Sequence, residues 1–331
     1  MAHPYFKTFE STYNEKEYPG VLDVILVVSN TRMYESRYRL FKKVLEELID
    51  TPFVRITIAE LAFGRRSYHI ADPANPQHVM LRSPDELWHK ENMINLAIKR
   101  LPSDWRYVCW MDADISFVNW KDWARDVIES LQHYKIIQPW SHAIDLGPNN
   151  ELFATYNSFA SCYKQDRKMI PAWKNYGSYQ HTGYAWAARR DFIDDVGGLI
   201  DFAVLGAADH HMAWSLIGQS DVTFPNGILL PEYRDLVSRW QDRAMVNTKK
   251  DVGCLPGTIM HYWHGKKKDR KYRDRWDILT NNKFNPYTDI VKDWQGLWRL
   301  QVQDDRQINL RDDIKTYFSS RMEDSLDMEG Q

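Results

Sequence analysis

The first regular pattern in the chain is a long apolar run, LDVILVVSN (Leu22 to Asn30), interrupted only by Asp23, that ends in small polar residues. A parallel strand buried on both faces reads this way, and its polar exit marks a loop where a ligand can approach. RYRLFKKVLEELI follows with apolar residues at Leu40, Phe41, Val44, Leu45 and Leu48, the spacing of one helix face. FVRITIAE (Phe53 to Glu60) predicts a second strand. The three together make a βαβ unit, whose sheet takes ligands at the carboxyl ends of its strands.

SPDELWHKENMINLAIKRL carries a capping signal at Ser83 and an apolar stripe through Leu87, Met93, Ile94, Leu96 and Ile98, which predicts a helix. WRYVCWMDAD reads as the next strand, KDWARDVIESLQHY as a helix and KIIQPW as a short strand. From Asp145 to Lys174 polar residues dominate, and a long excursion without regular structure is expected. Order returns in HTGYAWAARRDFIDDVGGLIDFAVLGAADHHMAWSLIG, with a helix at each end, and a further strand, GTIMHYW, runs into HGKKKDRKYRDRWDIL.

Composition narrows the classes. At 331 residues, with 44% hydrophobic and 27% charged residues, the chain can bury a large core as an ordinary globular protein. A formal net charge of −2 gives no global attraction to nucleic acid or anionic membranes, so such binding needs a local patch. VLDVILVV is too short to span a bilayer and follows a polar start unlike a signal peptide, so a soluble, cytoplasmic protein with no membrane partner is expected. Cys109, Cys162 and Cys254 lack any C-x-x-C spacing, which excludes a cysteine zinc site and a disulfide framework. Fourteen tryptophans and 18 tyrosines exceed ordinary usage; most must serve the core, and the surplus suits ring-stacking ligands such as sugars.

The candidate chemistry begins at WMDADISFVNW, where Asp112 and Asp114 stand at the mouth of a buried strand with one small residue between them. Alternation would aim both carboxylates to one side. Their repulsion is relieved by a hard divalent ion, Mn²⁺ or Mg²⁺, which takes oxygen ligands and keeps positions open for phosphate. A solvated strand-to-loop turn is the plain alternative. In MHYWH, a strand would send His261 and His264 to opposite faces, so that one of them could join an ion. The following run holds seven Lys or Arg between Lys266 and Arg275, as a solvated helix face or a patch for a polyanion.

WMDAD after an apolar strand, behind a βαβ opening and a K-x-x-x-x-N helix (Lys90 and Asn95 in HKENMIN), resembles the DxD motif of glycosyltransferases with the GT-A fold. That fold is Rossmann-like, a mixed central sheet flanked by helices. The resemblance implies that Asp112, Asp114 and a carboxyl-side histidine, His264, hold the metal, which bridges the diphosphate of a nucleotide sugar, a UDP-sugar as donor. HTGYAWAARRDFIDDVGGLID looks like the family's Gly-rich donor and acceptor segment, with Gly183, Gly197 and Gly198 admitting close backbone approach. GAADHHMAW stands where inverting members carry an xED motif. Ala208 departs from the usual Glu, and Asp209 becomes the expected general base. By the same analogy Asn30 and Glu60 would meet the base and ribose, with Lys90 and Asn95 at the donor, and Lys266 and Lys268 would neutralise the leaving diphosphate.

The resulting expectation is an N-terminal arm over 1–20, a GT-A catalytic domain over 21–265, a C-terminal helical extension over 266–318 and a disordered tail over 319–331. GAADHHMAW together with WHGKKKDRKYRDRWDIL and FNP is similar to a bacteriophage and kinetoplastid branch associated with glucosylation of hydroxymethylated pyrimidines in DNA. That likeness implies such DNA as the acceptor, UDP-glucose chemistry and, for a viral protein, the host cytoplasm. The rival expectations are a glycosyltransferase acting on a glycan or polysaccharide, a metal-dependent phosphohydrolase or nuclease, and a silent sugar-binding protein.

Overall fold

The computed structural model describes residues 20–174, 180–225, 227–228, 230–271 and 274–326. In chain order the strands are β1 (Leu22–Ser29), β2 (Val54–Phe63), β3 (His78–Ser83), β4 (Tyr107–Met111), β5 (Ile115–Phe117), β6 (Ile136–Gln138), β7 (His142–Leu146), β8 (Leu152–Asn157), β9 (Ala185–Arg189), β10 (Gly253–Cys254), β11 (Thr258–His261), β12 (Ile290–Lys292) and β13 (Trp298–Leu300). The helices are α1 (Glu35–Ile49), α2 (Lys90–Ile98), α3 (Trp123–Ser130), α4 (Phe159–Lys164), α5 (Arg190–Val196), α6 (Ala208–Leu216), α7 (Pro231–Thr248), α8 (Asp274–Asn281) and α9 (Asp305–Ser319).

Seven strands form the central sheet in the order β10-β6-β9-β4-β1-β2-β3. β1 runs parallel to both β2 and β4, and β9 runs antiparallel between β4 and β6. Strand alternation splits the core into two layers. Ile25, Val108, Trp110 and Trp186 pack on one face, whereas Val24, Leu26, Cys109 and Met111 pack on the other. Because β2 lies on one side of β1 and β4 on the other, the chain leaves the two strand ends in opposite directions. A crevice opens there, as at other topological switch points. This is the Rossmann-like mixed α/β fold expected from the sequence.

A second sheet, β5-β11-β7-β8, stands beside the crevice, and β12 and β13 pair as a hairpin. It corrects the reading of Asp145 to Lys174 as an irregular excursion: β7 and β8 form an antiparallel pair and α4 follows. β8 escaped notice because, as an edge strand with no buried residue, it shows no clean apolar alternation. The helix read from Ser83 begins only at Lys90, since HVMLRS is itself a strand and the Ser83 hydroxyl accepts from Asp85 N at 3.0 Å in a tight turn.

The extension beyond Gly265 carries the β12–β13 hairpin as well as helices, and its Trp276, Phe284, Leu310 and Phe318 join the main core. Residues 320–326, which the acidic composition marked as tail, pack back on the crevice with Arg321 and Glu323 buried. The arm over 1–19 and residues 327–331 lie outside the described residues.

Candidate active site

β4 ends at Met111 and β5 begins at Ile115 in the other sheet, so residues 112–114 form the turn between two sheets. Strict alternation therefore does not govern the two carboxylates. Asp112 donates its N–H to Tyr184 O at 2.7 Å and gives its carboxylate to the Lys90 ammonium. Asp114 turns the other way, into a buried nest with His264 Nε2 at 3.1 Å and His261 Nε2 at 3.8 Å.

The two histidine Nε2 atoms are 3.2 Å apart, and together with the Asp114 carboxylate they keep all ligand atoms within 4.8 Å of one another. Asp114 Oδ1 is buried and lacks a hydrogen-bond partner, which is costly unless a cation takes it. Burial, then the Arg270 and Arg37 guanidiniums, push the His264 imidazole down to about 3, so it is neutral and able to ligate. Burial raises the Asp114 carboxyl, but His264, His261 and Arg37 more than offset it and hold it well below the usual range. The donor set of one carboxylate and two imidazoles fits a divalent transition ion such as Mn²⁺ better than Mg²⁺, whose ligands are oxygens.

His261 joining the nest corrects the expectation that only His264 could. β11 stops at His261, and the chain turns before His264, so the opposite-face rule for a continuous strand lapses. Asp112 is not in the three-residue nest; Lys90 neutralises it instead.

These groups open on a cavity of about 250 Å³ at the carboxyl ends of β1 and β4. Lys90, Asp112, Asp209 and Glu91 share its wall, with the Lys90 ammonium feeling all three carboxylates. Asp209 lies in the first turn of α6, where Thr182 Oγ1 donates to it at 3.2 Å. Gly183 lines the cavity as expected: a Cβ there would come within 2.9 Å of Asp209 Oδ2. Burial, aided by Asp209, pushes the Glu91 carboxyl up to about 7 against the opposing pull of Lys90, and Trp88 Nε1 donates to it at 3.0 Å. Trp88, Trp173, Trp276 and His210 also line the cavity.

Other expected contacts fall elsewhere. Asn30 lies on the cavity wall but spends its amide on Tyr34, with both bonds at 2.9 Å. The Glu60 carboxylate is consumed by the backbone N–H groups of His69, Ile70 and Ala71 at 2.7, 2.8 and 2.6 Å, anchoring a loop outside the cavity. Asn95 clamps both backbone groups of Leu199 at 2.9 and 2.8 Å, behind Gly198, and is not on this cavity's wall. Gly197 is the left-handed cap of α5. Lys266 and Lys268 are also outside the cavity wall, whereas Lys267, Arg270 and Arg275 form part of it. The run turns inward at those three because Lys267 pairs with Asp145, Arg270 Nη2 reaches His264 Nε2 at 3.0 Å, and Arg275 donates to Leu205 O at 3.1 Å.

Arg37, Arg321 and Glu323 had no sequence signal. Arg37 of α1 pairs with Glu323, and Arg321 Nη2 lies 2.7 Å from the same carboxylate. Asp324 accepts the first N–H groups of α1, Glu35 N at 3.0 Å and Ser36 N at 2.8 Å. Gly265, at φ +85°, lets this strap pass: a Cβ would sit 2.5 Å from Met322 O. The one signal available for His261 was the H-x-x-H spacing itself.

No family model and no curated protein matches the chain. Among solved structures, the catalytic domain of Drosophila beta1,4galactosyltransferase 7 with xylobiose is similar at 12% identity, covering 88% of this chain and 98% of that one, with a TM-score of 0.37. S. aureus TarS is similar at 10% identity over 78% of this chain and 39% of that one, with a TM-score of 0.41. A putative nucleotide-diphospho-sugar transferase from Desulfovibrio desulfuricans G20 is similar at 14% identity over 89% of this chain and 97% of that one, with a TM-score of 0.30.

Proposed function

We propose that this chain is a metal-dependent glycosyltransferase that moves a sugar from a nucleotide sugar to an acceptor hydroxyl. The observation that carries the reading is the buried nest of Asp114, His261 and His264, which faces a cavity with cations beside it and the carboxylate of Asp209 across it. Asp114, His261 and His264 would hold Mn²⁺ or Mg²⁺, and a bound ion supplies Lewis-acid neutralisation of diphosphate charge.

The chain's own groups divide the remaining work. Arg270 and Lys267 add positive charge on the side where a leaving diphosphate would develop negative charge. Asp209 takes the proton from the attacking hydroxyl as general base, and attack from its side of the sugar inverts the anomeric carbon. The donor is a UDP-sugar, its nucleotide end toward the wall at the end of β1, where Asn30 braces the backbone of Tyr34.

For the acceptor we propose a hydroxymethylated pyrimidine in DNA. A flipped base is planar, and the half-buried indoles of Trp88 and Trp173 on the cavity wall offer it stacking surface, with His210 lining the same cavity. Lys268 and Lys271 are exposed among the described residues of the basic run, on the side where backbone phosphate would approach. Three free cysteines, and no helix among the described residues long and apolar enough to cross a membrane, agree with a cytoplasmic setting.

Incubation with Mn²⁺ and labelled UDP-sugars, with and without hydroxymethylated DNA, tests the proposal. Transfer to that DNA supports it in full, and transfer only to a neutral oligosaccharide removes the DNA acceptor. Phosphate release without glycoside formation would replace it with a hydrolase. That alternative is less favoured because a single group of three His, Cys or acidic ligands comes together among the described residues, whereas such hydrolases commonly assemble two metals.

A further inference from the structure

We infer that Asp145 is a positioning residue of the metal centre, holding His261 in the tautomer that leaves its Nε2 lone pair facing Asp114 and His264. The inference rests on the metal reading above and adds to it a residue that is not itself in the nest.

The fold places the pair by register. β7 and β11 run parallel in the small sheet, and Asp145 and His261 are partners across it. Asp145 is 2% exposed, so its charge must be matched by donors. Its Oδ1 lies 2.6 Å from the Tyr184 hydroxyl and 3.2 Å from His261 Nδ1, while its Oδ2 receives the Lys267 ammonium. With the Lys267 ammonium on one oxygen and the Tyr184 hydroxyl donating to the other, this buried group is held as a carboxylate.

An ionised carboxylate only accepts hydrogen bonds. Two donors are therefore needed at Oδ1, and the second must be the N–H at His261 Nδ1. A neutral imidazole with its proton at Nδ1 has its lone pair at Nε2, the atom 3.2 Å from His264 Nε2 and 3.8 Å from Asp114 Oδ1. A metal-ligating histidine is fixed in this way by a carboxylate behind it, which also raises its basicity.

Tyr184 points to the same role. It adopts φ +72°, an uncommon region for a bulky side chain, with its ring stacked on His181 at 3.8 Å and 2°. Its hydroxyl is tied to Asp145 and its carbonyl accepts from Asp112 N at 2.7 Å. Asp145 thus sits at a joint linking the DxD turn, β9 and β11. The plain alternative is that Asp145 only neutralises Lys267.

The test uses the full chain and Co²⁺, whose affinity is read by calorimetry and whose coordination is read by visible absorption, together with long-range ¹⁵N–¹H NMR of the histidine rings. In the metal-free wild type, His261 should carry its proton at Nδ1; a proton at Nε2 overturns the inference without any variant. Asp145→Asn should weaken Co²⁺ binding by about 10–100-fold. In a His261→Ala background the same change should cost less than about twofold, because the two act as one unit. Lys267→Met should leave the tautomer in place. If Asp145→Asn binds Co²⁺ as the wild type does, or loses as much without His261 as with it, Asp145 is not positioning His261. Absence of Co²⁺ uptake by the wild type removes the metal reading itself, and this inference with it.

Discussion

His261 and His264 bring their Nε2 atoms to 3.2 Å from each other with the Asp114 carboxylate reaching both, although the two histidines leave the strand end by different routes. Each is therefore expected to matter to metal binding. Asp114→Asn should abolish Mn²⁺ uptake, and His261→Ala and His264→Ala should each weaken it at least about tenfold, the usual scale for disturbing such a centre. Asp112→Asn should act differently: it frees Lys90, and calorimetry should show a smaller change in metal affinity than Asp114→Asn produces. Equal loss from both substitutions would place Asp112 among the ligands.

Asp209→Asn should leave nucleotide-sugar affinity nearly unchanged and lower turnover by roughly 10²–10⁴-fold, the range for loss of a positioned general base. Thr182 holds the carboxylate from behind, so Thr182→Val should lower turnover less. A parallel fall in donor affinity for Asp209→Asn would make it a binding group.

Glu91 supplies a pH signature. Burial lifts its folded-state carboxyl to about 7, above its ordinary value of 4.5, so the native chain binds a proton the unfolded chain has already released between those limits. Stability then declines as pH rises through that window. Glu91→Gln removes the loss and should stabilise the protein at about pH 8 by roughly 1–3 kcal/mol relative to its effect at about pH 4. Thermal midpoints of the two proteins that shift in parallel across that range would contradict an elevated Glu91.

The basic run divides into inward and outward members. Lys268→Ser and Lys271→Ser should each flatten the salt dependence of DNA binding by about 0.7–0.9 in the logarithmic slope if that lysine meets a phosphate, and leave donor binding alone. Lys267→Ser and Arg270→Ser should do the reverse, because both line the cavity. A neutral acceptor would show no slope to flatten.

These assignments also show how far the amino-acid pattern reaches. The runs of β1 and β4 are almost wholly apolar because both faces are buried, and such runs announce the sheet and the crevice at its strand ends. Asp114, His264, Asp209 and Gly183, named from the sequence, come together on the cavity wall because they lie at those ends or in short motifs. Glu60 and Asn95 misled for one reason: polar residues in strands and helices are as readily used to satisfy backbone groups as to meet a ligand. Arg37, Arg321 and Glu323 could not be read at all. Their meeting depends on the packing of an entire α/β domain, and nothing local marks it.

The strap that carries Glu323 has a kinetic consequence. Arg37 and Glu323 are 286 positions apart, and the capping bond from Ser36 to Asp324 spans 288, so these contacts bear nearly the largest loop-closure entropy available to the described chain. Contacts of such separation become affordable only after the intervening sheet has condensed. The cavity wall should thus be the last part of the molecule to form. On refolding, far-UV ellipticity of the sheet and helices should return first, and nucleotide binding should lag behind it as a distinct, slower phase.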